Sequence, residues 1–216
     1  MKRKLPAILL LLCGAALLAA ALILYAHNRQ EDIQAGKAAA DQLSKLVQPT
    51  ETQSDPLPPT PADPDGTPEK AETIPTEPLS PEDCVMEEVE IDGNAYIGYL
   101  TIPEAELQLP VISQWTYDAL QIAPCRYTGT MKGEDLVLLA HNYDQHFGKL
   151  DELPLDAELS FTDTEGTTYR YRVVLQETLD GADVEGMTTG DYDLSLFTCT
   201  YNGKSRFVIR CERIKP

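Results

Sequence analysis

Basic residues are scarce in this chain of 216 residues. Only 17 Lys and Arg stand against 35 Asp and Glu, and the formal net charge at pH 7 is -18. A protein that binds DNA or RNA needs a basic surface to meet the phosphate backbone. Because no local basic patch could outweigh this negative field, the composition excludes nucleic acid as a partner.

Closely spaced metal-ligand motifs and internal repeats are also missing. The chain has five cysteines and three histidines, and no two cysteines form a C-x-x-C pair. The absence of such pairs argues against a zinc site of the usual kind. No self-similar period recurs along the chain, which excludes a repeat architecture. The cysteines leave one question open, namely whether Cys84 and Cys125 form a disulfide.

Long hydrophobic runs are limited to one, which lies at the N-terminus. Residues 5–26 are almost entirely apolar or small, and they follow the basic cluster Lys2-Arg3-Lys4. As a helix this run would be about 33 Å long, enough to cross the hydrocarbon core of a bilayer. The basic cluster predicts a single-pass helix with the N-terminus inside the cell and the following domain outside.

A cleaved signal peptide is the alternative to a membrane anchor. Ala19 and Ala21 form an A-x-A-like cleavage site of the kind that ends signal peptides. However, the apolar run continues through residues 22–25, beyond the length of an ordinary signal core. This length favours an uncleaved anchor in the cell membrane.

The composition divides the chain into three parts. Residues 1–27 form the cytoplasmic tip and the transmembrane anchor, and residues 28–82 form a polar, proline-rich linker outside the membrane. Alanines at residues 27–48 indicate a short helix, and ten prolines follow in residues 49–81. A segment of this composition cannot bury a core and serves as an extended tether. Residues 83–216 remain for one folded domain.

Short β-like runs with turn signals between them fill the third part of the chain. The run at residues 136–140 is continuously apolar and fits a strand that is buried on both faces. One short helix is predicted at residues 114–123. The predicted strands are residues 96–102, 107–112, 136–140, 159–162, 168–176, 194–199 and 205–214. Many short strands at this spacing predict an all-β barrel or sandwich.

The last predicted hairpin brings a thiol and a guanidinium together. Asn202-Gly203 is a strong signal for a two-residue turn between the last two strands. Counting back from this turn places Cys199 directly opposite Arg206, with Cβ atoms about 5 Å apart on one face. A cation beside a thiol favours the nucleophilic thiolate, and its N–H groups can also stabilise an oxyanion.

Cys211 lies farther along the same hairpin, where the same count pairs it with Leu194. Because side chains alternate along a strand, Cys211 points to the face opposite Cys199. A disulfide between these two cysteines is therefore geometrically implausible, and Cys199 is left free to react.

A thiol nucleophile usually works with a base or acid partner. Of the three histidines, His27 sits at the membrane edge and His146 lies in a predicted loop. His141 directly follows the buried run at 136–140, so it emerges at a strand end, where a rigid scaffold supports functional side chains. His141 is therefore the candidate acid and base.

Ordinary structural roles also explain each of these residues. An isolated strand cysteine is often a small buried hydrophobe, and a histidine near a strand end is often a surface residue. An arginine on an outer strand is usually solvated, and Arg210 and Arg213 indicate that this strand is simply basic. The residues taken alone leave both interpretations open.

Four segments of the chain resemble segments of the sortase family. Residues 96–103, Y-I-G-Y-L-T-I-P, resemble its opening strands, and residues 138–143, L-L-A-H-N-Y, resemble the segment with the catalytic histidine. Residues 194–199, L-S-L-F-T-C, resemble the strand that carries the nucleophile. Residues 205–209, S-R-F-V-I, resemble the strand that begins with the essential arginine. The segments keep the family's order and together span about residues 95–214.

The class within the family stays open. The pair His141-Asn142 is closest to class B sortases, which carry a long helical insertion before the nucleophile strand. Here the corresponding stretch, residues 177–193, is short, acidic and glycine-containing. In sortases this stretch is the loop that shapes the substrate pocket.

The resemblance implies an eight-stranded β-barrel with one or two short helices and a two-step acyl transfer. Cys199 would attack a backbone carbonyl within a sorting signal of the Leu-Pro-x-Thr-Gly kind. His141 would protonate the departing amine and later deprotonate the incoming one, and Arg206 would hold the carbonyl or stabilise the oxyanion. The candidates for substrate binding are Thr198, Asn142 and Asp183.

The implied partners are surface proteins that carry a C-terminal sorting signal, together with an amine acceptor in a peptidoglycan precursor or a pilin. The N-terminal helix adds the membrane as a further partner. No metal or organic cofactor is needed for this chemistry. A thiol hydrolase on the same barrel and a non-catalytic, membrane-tethered binding domain remain as alternatives.

Overall fold

The computed structural model of the protein describes residues 4–47, 85–200 and 203–215, with side chains from residue 10 onward. Most of the predicted linker lies outside these ranges, and so do Cys84 and Asn202. The tether and a disulfide from Cys84 to Cys125 are therefore predictions about residues that the structure does not describe. Among the described cysteines, Cys125 has no disulfide partner.

Helix α1 (Lys4–Val47) is a single uninterrupted helix. The short helix expected at residues 27–48 is the continuation of the apolar segment, because alanine is frequent and no proline separates the two parts. The large apolar side chains between residues 10 and 25 are exposed. Among the described helices, α1 is the one that is long and apolar enough to cross a membrane.

In the described part of the chain, two short α-helices and nine strands follow α1. The helices are α2 (Tyr117–Leu120) and α3 (Val184–Thr188). The strands are β1 (Val89–Ile91), β2 (Asn94–Ile102), β3 (Leu107–Ile112), β4 (Cys125–Thr128), β5 (Leu136–Ala140), β6 (Glu158–Asp163), β7 (Thr168–Asp180), β8 (Leu194–Cys199) and β9 (Ser205–Arg213).

Eight of these strands close into a barrel. Their order is β2-β3-β4-β5-β8-β9-β7-β6, and β6 pairs back with β2. The pairs β3–β4 and β5–β8 are parallel, and β1 adds a short antiparallel extension to β2. Closure satisfies the edges that an open sheet would expose. The eight-stranded barrel expected from the sequence is confirmed.

Both faces of β5 are apolar, which explains its continuous hydrophobic run. Leu136 and Leu138 point into the barrel and belong to the main core. Val137 faces outward and packs in a second cluster with Phe197 of β8 and Met187 of α3. The barrel therefore carries an apolar patch on its outer face as well as a filled interior.

A steric constraint explains why residue 98 of β2 is a glycine. The register between β2 and β3 shifts between Tyr96 and Gly98, and β6 pairs with β2 from Gly98 onward. The φ angle of Gly98 is +141°, and a Cβ there would collide with the backbone of Thr162 and Asp163. Glycine permits this close approach of neighbouring strands at a bulge.

The predicted strands match the observed strands at their centres. β3, β5 and β8 have the predicted bounds. β7 continues four residues past its predicted end at 176, to Asp180, because it pairs with β9 as far as Ser205. The helix predicted at 114–123 is only the short α2, in which the Thr116 hydroxyl accepts from the Ala119 N–H at 3.0 Å. The sequence did not predict β1, β4 or α3, which are too short to show a period.

Candidate active site

Two parallel strand ends meet at one end of the barrel. β5 and β8 run side by side, and their last pair joins Ala140 to Thr198. The next residues along the chain are His141 and Cys199. Since neighbouring strands lie about 4.8 Å apart, the backbones of these two residues are adjacent.

β9 supplies the third member of the group. In the antiparallel β8–β9 ladder Cys199 pairs with Arg206, and Leu194 pairs with Cys211. Both pairings are those counted from the sequence, so the predicted register is confirmed. Cys211 lies in the barrel core, on the face opposite Cys199, and both thiols are free.

The three cysteines in the described part of the barrel differ in how exposed their side chains are. Cys125 and Cys211 are fully buried. Burial raises the pKa of the Cys125 thiol to about 12, and it raises the pKa of the Cys211 thiol as well. Both therefore stay protonated and inert. Cys199 is partly exposed, so it is the thiol of this group that a substrate can reach.

The guanidinium of Arg206 is held at the β8–β9 turn. Its Nη1 donates to the carbonyl oxygens of Gly203 and Ser205, each at 3.1 Å. Gly181 leaves room for this group, because a Cβ there would lie 3.1 Å from Nη1 and 2.7 Å from a backbone oxygen. Arginine carries five donors in a rigid planar fork. The two contacts through Nη1 therefore hold one edge of that fork against the carbonyl oxygens of the turn.

His141 opens the loop formed by residues 141–148, here termed the histidine loop. Burial lowers the pKa of the His141 imidazole, and the Glu31 carboxylate of α1 acts in the opposite direction. A lowered pKa keeps the imidazole neutral near pH 7, which is the form that accepts a proton. The ring of Tyr143 packs against it, with ring centroids 4.9 Å apart.

Comparison with known families establishes what this barrel is. The family model of the sortase domain matches residues 100–214, just over half of the 216 residues. The chain belongs to the sortase family. A comparison with curated proteins gave no match. Family membership supports a transpeptidase of the sortase kind.

Solved sortase structures share the fold of this sortase. Sortase C1 from Streptococcus agalactiae superposes with a TM-score of 0.52 at 23% identity, covering 59% of this chain and 72% of that chain. Sortase C1 from Streptococcus suis has a TM-score of 0.51 at 25% identity, covering 56% and 74%. Sortase C from Clostridium perfringens SM101 has a TM-score of 0.51 at 22% identity, covering 61% and 73%.

The three residues predicted to bind substrate occupy different positions in the sortase barrel. Asn142 lines a cleft of about 480 Å³ between α1 and the histidine loop. Thr198 is buried, and its hydroxyl donates to the carbonyl oxygen of Ala140 at 2.9 Å. Asp183 caps α3, where its carboxylate accepts from the Gly186 N–H at 2.8 Å. That cleft is lined by residues of α1 and the histidine loop and not by Cys199, His141 or Arg206, and Thr198 and Asp183 make structural contacts.

An apolar floor lies on the outer face of the sortase barrel beside Cys199. One outward-facing residue comes from each of β5, β8 and β9: Val137, Phe197 and Val208. Met187 of α3 packs on this floor. The ring of Tyr127 meets Phe197 edge-on at 5.4 Å and stacks on Trp115 at 6.1 Å. Val137, Phe197, Val208 and Met187 are each at most 4% exposed, so this cluster is a second core that is covered by α3 and Tyr127.

Sequence reasoning missed the role of Arg210, which is buried rather than solvated and is only 2% exposed. Its Nε donates to Glu177 of β7 at 2.9 Å. Its remaining nitrogens donate to the Ser195 hydroxyl at 2.9 Å, to the Met187 carbonyl at 3.1 Å and to the Gly186 carbonyl. One guanidinium therefore ties the α3 segment of the sortase to β7 and β8.

Replacing Arg210 by methionine is expected to lower the free energy of unfolding by about 3 kcal/mol. The change leaves Glu177 and three further oxygen atoms without their donor. The control is Arg170→Met, because Arg170 is exposed and its pair with Glu158 is expected to contribute at most about 1 kcal/mol. Urea unfolding of both variants measures the difference. Equal effects of the two changes would contradict a structural role for Arg210.

His146 lies beneath α1 without a polar partner among the described residues. Its side chain is fully buried, and neither ring nitrogen forms a hydrogen bond. Backbone groups of Ala35 and Ile122 lie near the ring but lack ordinary hydrogen-bond geometry. Burial, reinforced by the neighbouring His141, lowers the pKa of His146 to about 4.

This depressed pKa predicts a pH-dependent contribution to stability. The neutral form is favoured in the folded state, so the contribution is present above the unfolded pKa of about 6.5 and is lost as pH falls toward 4. Between pH 7.5 and pH 5 the loss amounts to about 2 kcal/mol. The variant His146→Phe is expected to lack this part of the pH dependence in urea unfolding. A wild-type profile parallel to that of the variant would contradict the prediction.

Proposed function

We propose that this sortase is a cysteine transpeptidase in which Cys199 is the nucleophile, His141 the acid and base, and Arg206 the oxyanion-stabilising group. The observation that supports the proposal is the register of β5, β8 and β9: Cys199 pairs with Arg206, and His141 follows Ala140, whose partner Thr198 precedes Cys199. The partial exposure of Cys199, against full burial of Cys125 and Cys211, supports the choice of thiol.

The first step forms a thioester and releases an amine. His141 takes the proton of the Cys199 thiol, and the thiolate attacks the backbone carbonyl carbon of the substrate. Negative charge moves to the carbonyl oxygen, where donors of the Arg206 fork stabilise it. The tetrahedral intermediate collapses with cleavage of the C–N bond, and the imidazolium of His141 donates its proton to the leaving amine.

The second step transfers the acyl group to an acceptor amine. The incoming amine attacks the thioester carbonyl, and neutral His141 removes its proton. The C–S bond then breaks, the new amide is released, and the proton returns to the Cys199 thiolate. The burial that lowers the pKa of His141 favours the neutral base that this step needs.

The donor in this proposal is a surface protein with a C-terminal sorting signal of the Leu-Pro-x-Thr-Gly kind. Asn142, which directly follows His141 in the chain, would contact its polar backbone. We assign Thr198 and Asp183 to positioning the strand and loop, because their polar atoms are bonded to neighbouring residues. The acceptor is an amine of a peptidoglycan precursor or a pilin.

The proposed location is the cell membrane, with a single span, the N-terminus inside and the barrel outside. The exposed apolar side chains of α1 and the basic N-terminal cluster support this orientation. In this scheme residues 1–27 form the tip and anchor, residues 28–82 the linker, and residues 83–216 the catalytic domain. The continuation of α1 into the second part means that the linker starts with a rigid helix.

The Arg206→Lys variant is expected to lower kcat/KM for peptide cleavage by about 100-fold. Lysine keeps the charge but loses the planar fork that meets an oxyanion and the turn carbonyls together. Steady-state cleavage of a sorting-signal peptide measures the effect. Arg172→Lys, at an exposed arginine of β7, is the control and is expected to retain nearly full activity. Full activity of Arg206→Lys would remove Arg206 from the mechanism.

Two alternatives give different products in one experiment. A thiol hydrolase would release the cleaved acid at the same rate with or without an amine such as triglycine. A transpeptidase would form ligated peptide, in an amount that rises with the amine concentration. A non-catalytic binding domain would leave Cys199 unreactive toward both an alkylating agent and the peptide.

A further inference from the structure

The second half of α1 docks on the barrel beside the histidine loop. The described side chains up to Glu31 are exposed, and burial begins at Asp32. The buried positions recur at intervals of three and four residues, so they form one face of the helix. They are Asp32, Ala35, Ala39 and Gln42. The docked face thus starts six residues after the apolar run ends at residue 26.

Asp32 makes the first polar contact of this docked face. Its Oδ1 accepts from the backbone N–H of Gln145 at 2.9 Å, and its Oδ2 accepts from Arg29 Nη1 at 2.9 Å. The residue is only 6% exposed. A hydrogen bond from a backbone N–H to a buried carboxylate is strong and directional. This contact joins α1 to the middle of the histidine loop.

Close packing supports the same contact. A Cβ on Gly36 would lie 2.8 Å from Cγ and 2.9 Å from Cβ of Gln145, so glycine lets the helix approach this side chain closely. Arg29 also faces Asp144 at 3.7 Å. The fully buried ring of His146 lies close to Ala35 of α1. The loop is therefore pressed against the helix over three successive residues.

The histidine loop is closed on itself, so a shift of Gln145 reaches His141. The Phe147 N–H donates to the His141 carbonyl oxygen at 3.1 Å. The His146 N–H donates to the Tyr143 carbonyl oxygen at 2.9 Å, and the Gly148 N–H donates to the same oxygen at 2.8 Å. Because of these hydrogen bonds, a displacement of Gln145 also displaces the backbone of His141, the first residue of the loop.

We infer that Asp32 is a positioning residue for His141, so that the helix leading out of the predicted membrane span is part of the active-site scaffold. This inference rests on the proposed role of His141 and extends that role to α1. Asp32 acts through the Gln145 N–H and the closed loop, and its loss displaces the imidazole from the path of the proton.

The test uses the full chain in detergent micelles with four variants. Asp32→Ala removes the acceptor, whereas Asp32→Asn keeps an oxygen that accepts from the Gln145 N–H. Asp41→Ala is the control, because Asp41 is an exposed carboxylate on the same helix that binds Lys45. Gly36→Ala inserts a methyl group between helix and loop, and because its carbon would lie 2.8 Å from Gln145 Cγ, the helix or the loop must shift.

Steady-state cleavage of a sorting-signal peptide gives the first readout. Asp32→Ala is expected to lower kcat at least about tenfold with little change in the KM for the peptide, since a displacement of about 1 Å is costly in catalysis. Asp32→Asn and Asp41→Ala are expected to stay near wild type. Gly36→Ala is expected to lower kcat, and its thermal unfolding is measured alongside to show that the variant is folded. Equal kcat in Asp32→Ala and Asp41→Ala, or an Asn variant as slow as the Ala variant, overturns the inference.

Hydrogen exchange of the histidine loop gives a readout that does not depend on activity. Amide exchange across residues 145–148 is expected to accelerate in Asp32→Ala and to stay unchanged in Asp32→Asn and Asp41→Ala. If the wild-type protein turns over no peptide, the proposed function fails. The exchange rates still test whether Asp32 holds the histidine loop through the Gln145 N–H. Unchanged exchange in Asp32→Ala overturns the positioning role.

Discussion

In the Cys199→Ala variant, no covalent adduct with a sorting-signal peptide is expected, and ligation falls by at least about 10³-fold to the uncatalysed level. The thiol is the group that forms the covalent intermediate, so no residual route through the thioester remains. Rates of ligated product, measured by chromatography with peptide and amine both present, give the size of the loss.

Cys211→Ala is the matched control for this loss. Cys211 lies on the adjoining strand but faces the barrel core, where burial raises the pKa of its thiol. Its removal is expected to cost some stability and to leave ligation nearly unchanged. Equal loss of ligation in both variants, with both still folded, would contradict the assignment of the nucleophile.

The His141→Gln variant is expected to lower kcat by about 10²–10⁴-fold, the usual contribution of a general acid and base. Glutamine keeps a polar side chain of similar reach but cannot carry a proton between the thiol, the leaving amine and the acceptor. His27→Gln is the control, because His27 lies on the exposed part of α1. It is expected to remain near the wild-type rate.

The pH profile makes the assignment of His141 more specific. Burial lowers the pKa of His141, so the neutral base is present at a lower pH than for an ordinary histidine. Transfer from a preformed thioester should therefore rise with pH along a limb whose midpoint lies below about 6.5. His141→Gln should lack this limb. An unchanged limb in the variant would show that another group titrates.

The pairing of Cys199 with Arg206 was predictable because it is a local property. The Asn-Gly pair in the sequence predicts where the hairpin turns, and every residue on one strand then has a countable partner on the other, as the observed register shows. The same count sets Ser195 opposite Arg210, and that pairing was the available sign that Arg210 is more than a solvated residue. Its further hydrogen bonds, to carbonyl groups of the α3 segment, depend on the path of a loop whose sequence shows no periodic pattern.

The docking of α1 was not predictable from the sequence. Asp32 and Gln145 are 113 residues apart, and neither belongs to a recognisable motif. The spacing of Asp32, Ala35 and Ala39 on one helix face is visible in hindsight, but small and polar residues on a helix do not reveal what they contact. The sequence predicted a short helix within a linker here, and what it did not reveal is that this helix packs on the barrel.

This packing decides which protein sample to study. The barrel alone, from residue 83 onward, would lack the helix that covers His146 and bonds to Gln145. A soluble fragment of that kind is expected to hold the histidine loop more loosely than the full chain does. Kinetic measurements on the full chain, in detergent or in lipid nanodiscs, therefore report on the complete site.

Intact mass spectrometry of the full chain with a panel of sorting-signal peptides, with and without an amine, tests the central claim most directly. The account predicts a peptide-sized adduct on Cys199 that is absent in Cys199→Ala and is converted to ligated peptide when the amine is added. An adduct mapped to another residue would contradict it. So would the absence of any adduct across the panel while an alkylating agent still modifies Cys199.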